Sequence, residues 1–183
     1  MAFAAWGAIV TGCAGSPGVP TDALHPKVHH LVGVPFFPDS TDQCGPATLA
    51  SVLTFWGTPT DPRSLREEIY RTHLRGTLPL DLLLAAQARG FKAEAYLGST
   101  DNLREEIAAG HPVIAFLDLG FLMFPQGHYV VVTGYDAQRQ GFYVHSGLER
   151  DAFMSDSRFV KSWDKTSRWT LRVLPNEETG RHA

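Results

Sequence analysis

The chain has 183 residues, 44% of them hydrophobic and 19% charged, with a net charge of −3 at pH 7. That is one ordinary domain with enough apolar material for a core, too apolar for a disordered chain and without the basic excess of a nucleic-acid binder. No apolar run reaches the length of a membrane span, and two cysteines exclude both a disulfide-rich scaffold and an all-cysteine zinc site.

Ala2 to Val10 is apolar and as long as a signal-peptide core. It runs into Val10-Thr11-Gly12-Cys13, which resembles a bacterial lipobox: an aliphatic and two small residues ahead of a cysteine that is acylated and opens the mature chain. The resemblance implies a lipoprotein signal peptide over residues 1–12 and a lipidated Cys13 followed by a flexible linker, 13–30 in all. The domain then spans 31–175, with a tail over 176–183. Such a protein is anchored by its acyl chains to the membrane on the periplasmic face of the cell envelope. Ala14 after the cysteine favours the outer membrane. One feature departs from the pattern: no Lys or Arg precedes the apolar run, so the expected true start lies upstream of Met1. The competing reading is a buried amino-terminal element with an incidental cysteine.

Along the body, Val32 to Phe37 reads as an extended entry segment interrupted by Pro35. Cys44 to Trp56 is apolar nearly all round, which marks a buried helix, and Gly57 closes it. Pro62 to Thr72 is a helix with Asp61 as cap and Pro62 in its first turn, and Pro79 to Arg89 is another, stopped by Gly90. Phe91 to Leu97 reads as a strand, Asn102 to Ala109 as a helix capped by Thr100 or Asp101, and Pro112 to Leu117 as a buried strand. Tyr129 to Tyr135 and Phe142 to Val144 form a hairpin across Asp136 to Gly141, with Asp136 a turn residue. Arg168 to Leu174 is the last strand. Helices first and antiparallel strands later predict an α+β fold, a helical half packed on a twisted sheet.

Cys44 opens the buried helix in Asp42-Gln43-Cys44-Gly45-Pro46-Ala47. Pro46 is tolerated there because first-turn amides have no intrahelical partner. Those amides and the helix dipole favour a thiolate, so the thiol pKa is expected to fall from about 8.5. The Cys44 amide also points where an oxyanion would form. A buried cysteine is otherwise a small hydrophobe. Its place at the helix start, its polar approach and its being the only unmodified thiol once Cys13 is acylated favour a nucleophile. A thiol nucleophile needs a base, and His128 sits at the mouth of the apolar strand Tyr129 to Tyr135. His25, His29, His30 and His182 are read as solvated, and His73 and His111 as surface or capping residues. No HExxH or Cys/His spacing supports a metal, and no cofactor is implied.

Gln43-Cys44-Gly45-Pro46-Ala47, Gly110-His111-Pro112-Val113-Ile114 and Gly127-His128-Tyr129-Val130-Val131-Val132-Thr133-Gly134-Tyr135-Asp136 resemble three blocks of the bacteriocin-processing (double-glycine leader) peptidase domain, a papain-like cysteine peptidase. The resemblance runs from about Val34 to Gly147, and with the lipobox it points to a free-standing, lipoprotein-type branch. It implies the papain-like fold, Cys44 as nucleophile, His128 as general base, a peptide or protein substrate and export-system partners. Two departures stand out. Papain-like enzymes place a Gln several residues before the nucleophile to donate to the oxyanion. Here Asp39 lies in that stretch, where a carboxylate would repel an oxyanion unless protonated, and the nearest Gln is Gln43. Losing one such donor typically costs about 100- to 1000-fold. The third member of the triad, usually Asp or Asn, aligns with Ser146, with His145 next door as the alternative.

The leading expectation is thus a thiol peptidase cleaving peptide or amide bonds through a Cys44–His128 dyad, with small residues such as Gly-Gly before the cut. A catalytically impaired module that grips peptides or assists export is the alternative from another class, since the usual oxyanion Gln and triad carboxylate are absent. A thiol acyltransferase uses the same dyad and is not separated from a hydrolase by these residues.

Overall fold

The computed structural model describes residues 27–39, 43–121 and 123–176. The expected signal peptide, Cys13 and most of the linker and tail lie outside the described residues. Seven antiparallel strands of the described residues form a single sheet: β1 (Val28–His30), β2 (Lys92–Leu97), β3 (Val113–Asp118), β4 (Gly127–Asp136), β5 (Gly141–Ser146), β6 (Glu149–Ser155) and β7 (Trp169–Leu174). Their order is β2-β7-β3-β4-β5-β6, with β1 added alongside β4. Among the described residues, five α-helices complete the fold: α1 (Cys44–Phe55), α2 (Pro62–Ile69), α3 (Pro79–Ala88), α4 (Thr100–Ala108) and α5 (Asp156–Asp164), with a 3-10 turn at Thr72–Leu74. The α+β architecture expected from the order of elements is the observed one.

α1 lies on β4 and β3, with α2 and α3 packed against it, while α4 packs on β1, β3 and β4, and α5 on β3, β5 and β6. β4 is buried at every residue from Tyr129 to Asp136, which requires cover on both faces of the sheet. α1 is correspondingly buried from Gly45 through Leu53, so it is held by apolar contact on all sides. Gly57, at φ +84°, takes the left-handed conformation that ends it. In α2, Asp61 caps by accepting from the Arg63 amide at 3.1 Å, and Pro62 occupies the first helical position.

Five segments differ from the sequence expectation, and α2 among them stops at Ile69, short of the expected Thr72. α4 begins at Thr100 because Ser99, and neither Thr100 nor Asp101, is its cap: Ser99 Oγ accepts from the Asn102 amide at 3.1 Å. β1 recruits Val28 to His30 from the expected linker, so His29 and His30 belong to the sheet, and the His30 ring bonds Asp151 at 3.0 Å. β6 and α5 were not expected. α5 is capped by Ser155 and buries Phe159 and Trp163, four residues apart, against the sheet.

The hairpin β4–β5 is longer than its apolar run. β4 starts at Gly127 and includes His128, and β5 continues through His145 to Ser146. Asp136 turns it, accepting from the amides of Gln138 at 3.0 Å and Arg139 at 2.9 Å.

Candidate active site

Cys44 is the first residue of α1 and a free, partly buried thiol. Being at the helix start, its own amide and that of Gly45 have no intrahelical carbonyl to bond and lie against the sulfur; a third amide, from Tyr129, also bonds it. β5 pairs with β4 only from Val131 onward, so the leading end of β4 is left uncovered on that side. The start of β4 therefore lies against Cys44, and His128 is the residue beside that amide.

Strand register decides what faces His128. Val131 pairs with His145. One step further along the hairpin, Ser146 falls beside Val130, which shares its face with His128 because side chains alternate. The His128 Nε2 is 2.9 Å from the Ser146 Oγ. His145 points elsewhere: its Nε2 donates to the Val34 carbonyl at 3.2 Å, and its Nδ1 accepts from the Asp151 amide at 3.2 Å. Both ring nitrogens are thus spent on backbone groups, and the His145 imidazole is held buried in one neutral tautomer. The structure brings Ser146, and not His145, to the candidate base. Gln43 caps α1 with no side-chain hydrogen bond to it and lines a cleft with Phe37, Asp61 and Arg63.

Burial opposes the thiolate that the helix start alone predicts. Desolvation pushes the Cys44 thiol up, the Tyr129 amide pulls it down, the negative charge of Asp39 pushes it further up, and the Gly45 and Cys44 amides pull it down; the balance lies above the ordinary thiol range. Desolvation also holds the His128 imidazole below its ordinary value, with Asp39 acting in the opposite sense. Both shifts favour the neutral thiol and neutral imidazole. The expected fall in the Cys44 pKa is therefore reversed: a local dipole is outweighed by removal of the site from water.

Two spaces open on Cys44. A cleft of about 280 Å³ is walled by Leu74 to Leu78 on one side and by Phe116, Gly127 and Tyr129 on the other. Gly45 permits the close approach of that first wall, since a Cβ there would sit 2.9 Å from the Thr77 Cβ. Tyr129 ties the two walls together by donating its hydroxyl to the Thr77 carbonyl at 3.0 Å. On the other flank, Phe36, Phe37, Asp39 and Ser146 leave a gap of about 10 Å³ beside Cys44, barely the space of one water. Sequence reasoning did not single out the Thr77 wall, because nothing in Leu74 to Leu78 announces a contact 30 residues away in the chain. Among the described residues, no group of three or more His, Cys, Asp or Glu is placed to hold a metal.

A Peptidase C39-like family model matches residues 28–170, which takes in β1 to β6, the five α-helices and the first two residues of β7. The chain belongs to the C39-like peptidase family. The fold of this C39-like protein is also that of solved peptidase domains. A putative C39-like peptidase from Bacillus anthracis superposes with a TM-score of 0.65 at 20% identity, covering 81% of this chain and 98% of that one. The peptidase domain of Streptococcus ComA, a bi-functional ABC transporter involved in a quorum-sensing pathway, gives 0.62 at 25% identity over 81% and 98%. A double-glycine motif protease from an AMS/PCAT transporter, solved with its leader peptide, gives 0.63 at 21% over 81% and 99%. No curated protein matches the chain.

Proposed function

We propose that this C39-like protein is a cysteine peptidase that hydrolyses peptide bonds with Cys44 as nucleophile and His128 as general base. The observation that carries the reading is a helix-opening thiol that meets the Tyr129 amide, next along β4 to a histidine, His128, whose ring is bonded to Ser146. Since Nε2 faces Ser146, the nitrogen left to act on the thiol is Nδ1. In the reaction, the sulfur attacks the scissile carbonyl as Nδ1 takes the thiol proton. The Cys44 amide donates a hydrogen bond to the developing oxyanion, and the proton passes to the leaving amine. Water then repeats the sequence on the thioester, returning the thiol. The resting neutral pair makes proton transfer part of the attack rather than a step already completed.

Substrate selection follows from the cleft. Phe116 stacks on Tyr129 with ring centroids 4.4 Å apart, and its ring lies 2.7 Å from where a Cβ on Gly127 would be. With Thr77 opposite, the passage beside Cys44 favours residues without bulky side chains before the cut, such as Gly-Gly. The double-glycine protease solved with a leader peptide is a structural relative with that preference in its name. The test is hydrolysis of a peptide series with Gly-Gly, Ala-Ala or Leu-Leu before the cut, using wild type, Cys44→Ala and His128→Ala. Cleavage after Gly-Gly by wild type alone is expected; cleavage retained by Cys44→Ala would refute the assignment.

Membrane anchoring through an acylated Cys13, on the periplasmic face and favouring the outer membrane, is a separate part of this proposal and rests on the sequence Val10-Thr11-Gly12-Cys13. Expressed from an authentic start, Cys13→Ser should lose both fatty-acid labelling and membrane fractionation. An unlabelled wild type would refute it.

A further inference from the structure

β5 ends between two irregularities of the sheet. On one side β4 carries Thr133 as an extra residue between its pairings with Val144 and Tyr143; on the other, Arg150 and Asp151 of β6 stand opposite His145 alone. Asp151 takes a left-handed backbone conformation at this second bulge, with φ +50°, uncommon for a residue with a side chain. Its groups reach every neighbouring strand. Oδ1 accepts from the Thr133 hydroxyl at 2.8 Å, which joins the two bulges, and bonds the His30 ring on β1 at 3.0 Å. The Asp151 amide donates to His145 Nδ1 at 3.2 Å, and the far nitrogen of that ring holds the Val34 carbonyl of the entry segment at 3.2 Å. Thr133 is fully buried, and the other acceptor for its hydroxyl, the Tyr143 carbonyl, is more distant at 3.3 Å.

This knot of bonds lies on one face of β5, and the candidate base lies on the other. Ser146, one residue beyond His145, meets the His128 Nε2 at 2.9 Å. A slip of β5 by one residue would exchange the two faces and send His145 toward the base. In that slipped register His145 would leave both the Asp151 amide and the Val34 carbonyl, and the two bulges would no longer meet around it. We propose that Asp151 is a positioning residue for His128: it fixes the end of β5 between the two bulges and thereby keeps Ser146 on the candidate base. It acts through Ser146 and takes no part in the bond-making steps.

This inference rests on the proposed role of His128, so the experiment pairs turnover with a signal that needs none. The Nε2 resonance of His128, read by nitrogen NMR of the imidazole, reports its bond to Ser146 whether or not a peptide is cleaved. Asp151→Gly keeps the left-handed backbone and the amide to His145 but removes the carboxyl. Asp151→Asn keeps an accepting Oδ1 on a side chain that tolerates this conformation. Both are measured alone and with Ser146→Ala, for kcat and KM on the Gly-Gly peptide and for the His128 resonance. Asp151→Gly should lower kcat about fivefold with KM unchanged, the full loss expected of Ser146→Ala, and move the His128 resonance as Ser146→Ala does. Asp151→Asn should restore both. In the Ser146→Ala background Asp151→Gly should cost nothing more, because the residue acts only through that hydroxyl. Should Asp151→Gly not fold, Thr133→Val removes the donor from the other bulge and is read in the same way. A folded variant with wild-type kcat and an unmoved His128 resonance, or losses that multiply in the double variant, overturns the role of Asp151. Absence of hydrolysis by wild type, with the resonance moving as expected, refutes the peptidase reading and keeps the positioning assignment.

Discussion

Ser146 offers the sharpest test of how the candidate base is held. The His128–Ser146 contact is a single neutral hydrogen bond of 2.9 Å at a partly buried site. Its net contribution is about 1 kcal/mol, and if all of it orients the imidazole for proton transfer, Ser146→Ala should lower kcat about fivefold. A hydroxyl both donates and accepts, so it holds the productive Nε2–H tautomer and the opposite one with similar ease. A carboxylate accepts only, and its bond to the developing imidazolium is roughly twice as strong as a neutral one. Ser146→Asp should therefore keep or raise kcat, and move the acid limb of the pH profile upward because a nearby negative charge favours protonated His128. The assay is single-turnover cleavage from pH 5 to 9, with circular dichroism to show that each variant is folded. A neutral Ser146→Ala together with a folded but inactive His145→Ala would refute the reasoning, because His145 has both ring nitrogens bonded to backbone and no route to the imidazole.

Two further outcomes follow from the site. Because burial raises the Cys44 thiol and lowers His128, the reactive thiolate is the minor form at neutral pH, and alkylation of Cys44 should climb about tenfold per pH unit between pH 6 and 8; a plateau below pH 7 would reveal a resting thiolate–imidazolium pair and refute the neutral-pair account. Gly45→Ala brings a Cβ to 2.9 Å from the Thr77 Cβ, so it should destabilise by about 1–3 kcal/mol and displace the wall of the cleft, raising KM for the Gly-Gly peptide more than it slows alkylation; unchanged melting and KM would show that Thr77 does not press on the nucleophile helix.

Legibility in the sequence tracks how local the determining physics is. α2 and α3 open on prolines and close where helical spacing fails, and α1 announces itself as buried because it is apolar on every side, so all three are readable in place. α4 starts early because Ser99 outcompetes its neighbours as a cap, a difference of one side-chain bond. β6 was illegible for a different reason: Glu149, Arg150 and Asp151 open an edge strand that pairs only with β5, so no alternating apolar face marks it. α5 did carry a signal, a Ser155 cap ahead of Phe159 and Trp163. β1 is too short and polar to stand out from a linker, and it exists because β4 offers it a partner.

The chemistry divides along the same line. The pairing of Ser146 with His128 follows from hairpin register, a local rule, and the period of two leaves His145 on the other face. The protonation state of Cys44 does not follow locally. A helix start gives every cysteine placed there the same amides, and by that argument the thiol should ionise easily. What reverses the sign is the cover contributed by Tyr129, by the Phe36–Phe37 segment and by the sheet beneath, elements drawn from three distant parts of the chain, together with the charge of Asp39. Desolvation sums over all of them, so it becomes visible only when they are brought together. On the proposed assignment, a nucleophile kept neutral at rest is protected from oxidation and stray electrophiles, and it reacts when a substrate carbonyl is in place and His128 can take the proton in the same step.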